Sequence, residues 1–173
     1  MIKKFYIFIF VIFPVLVFYS LAIMNDLDTK KILRNSVISQ TSIQEYVSKS
    51  FRYEAVHRVA IESFNRKILD CPTTVKVANK LISLNNRSAF AYYLKGACAE
   101  KEEDNLLTYK FIKKANLYQP IKLEYRQALV IANLQVGKIQ ESRILLTELL
   151  ELYPGDPKLV ELSDYISFKL TQP

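Results

Sequence analysis

The sequence predicts an all-α chain, with an N-terminal transmembrane helix followed by a short stack of helical hairpins and a C-terminal capping helix. Three observations carry this expectation. Glycine and proline are sparse, 3 and 6 in 173 residues, and no stretch alternates β-branched and polar residues as a half-buried strand would. The run Phe5 to Ile23 contains no charge. Turn residues recur at one interval: Asn86, Pro120 and Pro154 are equally spaced. Their spacing matches the 34-residue period of one class of stacked helical hairpins.

A helix over residues 5–23 would be ~28 Å long at 1.5 Å per residue, close to the hydrocarbon thickness of a bilayer. Pro14 costs it one backbone hydrogen bond, which membrane helices tolerate. Lys3, Lys4 and the amino terminus precede the run, and Asn25, Asp26 and Asp28 follow it. That asymmetry predicts a single-pass topology, with the N-terminus cytoplasmic and the remainder outside, periplasmic or extracytoplasmic. Ser20-Leu21-Ala22 presents small residues where a signal peptidase reads, so cleavage after Ala22 is the alternative to a retained anchor. The expected organisation is an anchor or signal segment over 1–24, a juxtamembrane spacer over 25–42 and a helical domain over 43–173.

Net charge is +7 and unevenly spread. Residues 30–99 hold 12 Lys and Arg against 4 Asp and Glu, whereas residues 140–173 hold 3 against 6. Anionic headgroups would attract the basic part by ~1 kcal/mol per side chain near the surface, which makes a lipid surface a candidate partner. Nucleic acid is not expected, because the positives are scattered and form no recognition helix.

Ser42-Ile-Gln-Glu45 has the form of a capping box. Beyond it, Ile43, Tyr46, Val47, Val56, Val59, Ala60, Phe64 and Ile68 recur at helical spacing, with a break expected around Ser50 and a stop at Asp70-Cys71-Pro72. Thr73 or Thr74 opens the next helix, which carries Val77, Ala78, Leu81 and Leu84 to the turn at Asn85-Asn86. A helix then starts at Ala89. Gly96 inside it costs ~1 kcal/mol against alanine and points to close approach of a neighbouring helix. The acidic run Glu100 to Asp104 marks a loop, and Leu106 to Leu117 return to Pro120. A third pair spans Leu123–Val136 and Ile139–Tyr153, and a last helix covers Leu159–Leu170.

These pairs resemble the tetratricopeptide repeat (TPR), a 34-residue helix–turn–helix unit. Residues 123–156 match best, with Gly137 at the turn, Ser142 at the helix crossing, Leu146 as apolar anchor and Pro154 at the close. Residues 89–122 match through Tyr92, Gly96, Ala115 and Pro120. Residues 55–88 match poorly, because Glu62 falls where a small residue belongs and no turn glycine is present. The resemblance implies a right-handed stack that holds a protein or peptide in a groove lined by the first helix of each repeat. By register, Val59, Arg66, Phe90, Tyr93, Lys101, Gln127, Ile131 and Gln135 would face that groove. The Lys and Asn pattern with which the family clamps a C-terminal carboxylate is not matched here.

No catalytic residue, cofactor or metal site is expected. His57 is the one histidine and has no second ligand at metal-binding spacing. No phosphate-binding glycine loop or nucleophile–base pair is present, so the chain is not expected to be an enzyme. Cys71 and Cys98 are candidates for a disulfide if the domain lies in an oxidising compartment. The reading that follows is a membrane-anchored adaptor that binds a partner protein in a cell-envelope assembly. Its rival is an accessory subunit of a transport, polysaccharide or pilus complex acting through its transmembrane helix.

Overall fold

The computed structural model describes residues 13–34 and 39–171. They form α1 (Phe13–Arg34), α2 (Gln40–Lys49), α3 (Tyr53–Asn65), α4 (Cys71–Leu84), α5 (Ala89–Lys101), α6 (Asn105–Tyr118), α7 (Leu123–Gln135), α8 (Ile139–Leu152) and α9 (Pro157–Thr171). The chain divides into two compact units, Met1–Asn85 and Asn86–Pro173.

In the N-terminal unit α1 packs on α2 and α3, and α4 packs on α2 and α3. The expected transmembrane helix is overturned here. Among the described residues no helix is long and apolar enough to cross a membrane. α1 has 22 residues, and its second half carries Asp26, Asp28, Lys30, Lys31 and Arg34, so among the described residues its apolar part is shorter than the ~20 residues a bilayer needs. That charged half serves the unit's own packing. Thr29 is buried and hydrogen-bonded to the Tyr46 hydroxyl, and Asp26 lies 3.7 Å from Arg52. The single-pass topology falls with the span, and the attraction of the basic stretch to adjacent headgroups loses its premise. Residues 5–12 of the uncharged run, and Lys3 and Lys4, lie outside the described residues.

Short polar side chains cap α2, α4, α5 and α6, two of them away from their expected positions. Ser39, not Ser42, caps α2, its hydroxyl accepting from the Ser42 N–H at 3.1 Å. Asp70 opens α4 rather than closing α3: its carboxylate accepts from Thr73 N–H at 2.9 Å, with Pro72 in the first turn, where the missing N–H costs nothing. Asp104 likewise caps α6 by accepting from Leu107 N–H at 2.9 Å, so the acidic run ends in a structural carboxylate.

The period is carried most strictly by the second helices. α4, α6 and α8 start at 71, 105 and 139 and end at 84, 118 and 152, each one full repeat after the last. The first helices α3, α5 and α7 each have 13 residues, but α3 starts two residues early. All three are closed the same way. Lys67, Glu103 and Gly137 adopt positive φ (54°, 59° and 78°). Each donates its N–H to the carbonyl three residues back, and the following residue donates to the carbonyl four before the turn residue, a Schellman closure. The link from α3 to α4 is two residues longer than the links from α5 to α6 and from α7 to α8. Counted from its own closure, the small packing position in α3 is therefore Ala60, which is fully buried, and not Glu62. The first hairpin keeps the repeat and breaks only its register.

In the C-terminal unit α5 packs on α6, α6 on α7, α7 on α8 and α8 on α9. Gly96 is the close approach its sequence position implied, with Ile112 of α6 against it. Where α8 crosses α7, the buried Ser142 hydroxyl donates to the Val130 carbonyl at 2.7 Å. Val130, Leu146, Leu149, Leu159 and Ile166 form one buried cluster. Leu159 and Ile166 of α9 stand one repeat beyond the buried Tyr125 and Ala132 of α7. α9 thus buries the same positions as a first helix of the repeat, in addition to closing the unit.

Candidate functional site

A groove of about 580 Å³ runs over the first helices of the C-terminal unit. Tyr93, Ala97 and Glu100 come from α5, and Glu124, Gln127, Ala128, Ile131 and Gln135 from α7. Lys158, Glu161, Leu162 and Tyr165 come from α9, while Thr108 and Ile112 of α6 also contribute. The lining is periodic, because a helix face recurs wherever the repeat does. Tyr93, Gln127 and Glu161 occupy one position of the repeat in three successive first helices, and Ala97, Ile131 and Tyr165 occupy another.

Tyr93 is half-buried, its ring 5.0 Å from that of the buried Tyr125 and tilted against it. Burial raises its phenol pKa above the usual value, and the negative charges of Glu100 and Glu124 raise it further. Gln135 donates its amide to the Glu100 carboxylate at 3.4 Å. Two buried polar atoms of the lining, Thr108 Oγ1 and Gln135 Oε1, have no hydrogen-bond partner among the described residues. The groove therefore combines aromatic and aliphatic walls with carboxylates and amide groups, a lining that can take an amphipathic chain.

Four of the eight residues expected from sequence line this groove: Tyr93, Gln127, Ile131 and Gln135. Phe90 is buried in α5 and Lys101 is exposed at the end of that helix. Val59 and Arg66 belong to the other unit. There the two-residue offset turns the helix by about 200°, at 3.6 residues per turn, so positions transferred by a strict repeat count face the wrong way. Val59 is buried, and Arg66 pairs with Glu62 at 2.6 Å. His57, at the position in α3 that Tyr93 holds in α5, stacks on Tyr53 at 5.3 Å. Glu124, Lys158, Glu161, Leu162 and Tyr165 were missed. Carrying Gln127 and Ile131 forward by one repeat reaches Glu161 and Tyr165, on the helix whose polar surface reads as that of a cap.

A second groove of about 630 Å³ is lined by Leu106, Tyr109, Lys110, Lys113, Lys114, Asn116, Leu117 and Leu129. Its charged residues are all lysines. Lys138 donates to the Tyr109 hydroxyl at 3.2 Å, and that bond lowers the phenol's pKa. Cys71 is half-buried in the first turn of α4 and Cys98 is buried in α5; neither is in a disulfide in the structure. Among the described residues no group of three or more His, Cys, Asp or Glu is placed to hold a metal ion.

The fold is similar to that of the TPR2B domain of yeast Sti1, solved as a complex with pHsp70. The two share 19% identity at a TM-score of 0.56, over 69% of this chain and 99% of that one. This likeness, with the repeat register, places the architecture among tetratricopeptide-type helical hairpins. No protein-family model and no curated protein matches the chain.

Proposed function

We propose that this chain is a protein-interaction adaptor whose C-terminal unit holds a segment of a partner protein in the groove between α5, α7 and α9. The observation that carries the reading is the convergence of Tyr93, Gln127, Ile131 and Tyr165 on one groove from three helices of equivalent register. Aromatic and aliphatic side chains, half-buried Tyr93 and the exposed Ile131 and Tyr165, supply anchoring area, and the amides beside them supply orientation. The pHsp70 complex of the similar Sti1 domain is consistent with a peptide ligand for this fold. Catalysis forms no part of the reading.

The test is a peptide-display selection against the full chain, followed by titration of the selected peptides as synthetic, labelled probes. Ile131→Arg in the groove should abolish binding, while Leu106→Arg on the other face should leave it unchanged. Peptides that bind both variants alike would show the groove assignment to be wrong.

A further inference from the structure

The groove's charge narrows the chemistry of its occupant. Three carboxylates, Glu100, Glu124 and Glu161, line it against one ammonium, Lys158. This sign opposes the chain as a whole, which carries +7, and also opposes the second groove, whose charged residues are all lysines. The acidity is therefore local and does not follow from bulk composition. All three carboxylates belong to first helices, so they share one surface with Tyr93 and Tyr165. Charges gathered in a cleft with low-dielectric walls focus the field into it and select the sign of what enters.

We propose that the groove takes a cationic segment, a stretch of partner chain in which lysine or arginine alternates with apolar side chains. The inference rests on the groove-binding reading above and specifies its ligand. Ammonium or guanidinium groups pair with Glu100, Glu124 and Glu161, while the apolar side chains lie against Ile131, Leu162 and the tyrosine rings. The rings add a cation–π contribution to whichever basic side chain crosses their faces. Lys158, at the start of α9, disfavours a basic side chain at that end of the groove and so sets the segment's polarity.

The experiment uses the full chain and three labelled synthetic peptides with the same apolar residues, whose remaining positions are all Lys, all Gln or all Glu. Binding is followed by fluorescence anisotropy at low and high salt. The lysine peptide should bind roughly tenfold more tightly than the glutamate peptide at low salt, with the glutamine peptide between them. Each of Glu100→Gln, Glu124→Gln and Glu161→Gln should weaken the lysine peptide by roughly two- to fivefold. Lys158→Glu should tighten it by a similar factor, a gain that an unfolded variant cannot give. Equal binding of all three peptides, abolished by Ile131→Arg, would overturn the charge preference and leave the groove reading standing. Binding of none would overturn both, and tighter binding of the glutamate peptide would reverse the proposed ligand class.

Discussion

A Cβ added to Gly96 would stand 2.6 Å from Cδ1 and 2.8 Å from Cγ1 of Ile112, so α5 and α6 meet where only a glycine fits. Gly96→Ala gains ~1 kcal/mol of helix propensity but meets an overpacking cost of about 1–3 kcal/mol. The net expectation is a loss of about 1 kcal/mol in urea unfolding. Ile112→Val removes the nearest atom, so the double variant should recover part of that loss; strict additivity would show that the contact is relieved elsewhere. Ile112 also lines the acidic groove, and Gly96→Ala should weaken peptide binding as well.

The three Schellman closures make a graded series. Gly137→Ala places a Cβ at φ 78° and should cost about 1 kcal/mol. Lys67→Gly and Glu103→Gly relieve the same strain but add unfolded-state entropy, so each should stabilise by about 0.5 kcal/mol. Thermal unfolding of the three variants checks the signs, and a destabilising Glu103→Gly would mean that its side chain contributes more than its backbone strain costs.

Those closures also show what was legible in the sequence. Pro120, Pro154 and Gly137 announce the period directly, and α6 to α8 follow it as expected. The first hairpin is obscured because Lys67 performs the turn glycine's role without being glycine, and because the longer α3–α4 link displaces Ala60 from the expected position. The groove was half legible. The helix periodicity names the face of α5 and α7, and the same register carried one repeat further names Glu161 and Tyr165 on α9, a helix whose polar surface reads as that of a cap. The uncharged run shows hydropathy without showing what the helix packs against, and among the described residues no helix is long and apolar enough to cross a membrane. α1 continues into a charged half that packs on α2 and α3.

Acid should loosen the N-terminal unit through Asp70. Hydrogen bonds from Gln40 and Thr73 hold its carboxyl below the usual carboxylate pKa. A depressed folded pKa gives stability that is present above the unfolded value and lost as pH falls through the folded one. Asp70→Asn should therefore be less stable than the parent at neutral pH, with the difference narrowing on acidification. A gap unchanged down to the acid transition would assign the effect to the side chain's shape alone.

Tyr93 reports on the groove. Its phenol is shifted upward by burial first, then by Glu100 and Glu124. Phenolate absorbance should show one tyrosine titrating late, and the Glu100→Gln/Glu124→Gln variant should bring it part of the way back. The sign for stability is opposite to that of Asp70: the contribution is full below the unfolded pKa and is lost as pH rises through the folded one. A titration unaffected by the two substitutions would leave burial as its sole cause.

The two thiols give a simple count. Labelling the native chain should modify half-buried Cys71 faster than buried Cys98, and denaturation without reductant should expose both. Failure to label either after denaturation would show both thiols to be oxidised.

The position of α9 makes the groove's shape conditional. It packs on α8 and supplies one wall through Glu161, Leu162 and Tyr165, so its release would remove that wall while α5 and α7 keep their own neighbours. In an array held by contacts between successive helices, a single helix can open locally while the others stay folded. Occupancy and the order of α9 are then one equilibrium seen from two sides. Amide exchange in α9 should slow as ligand is added, and any modification that frays this helix would release the ligand without touching the groove.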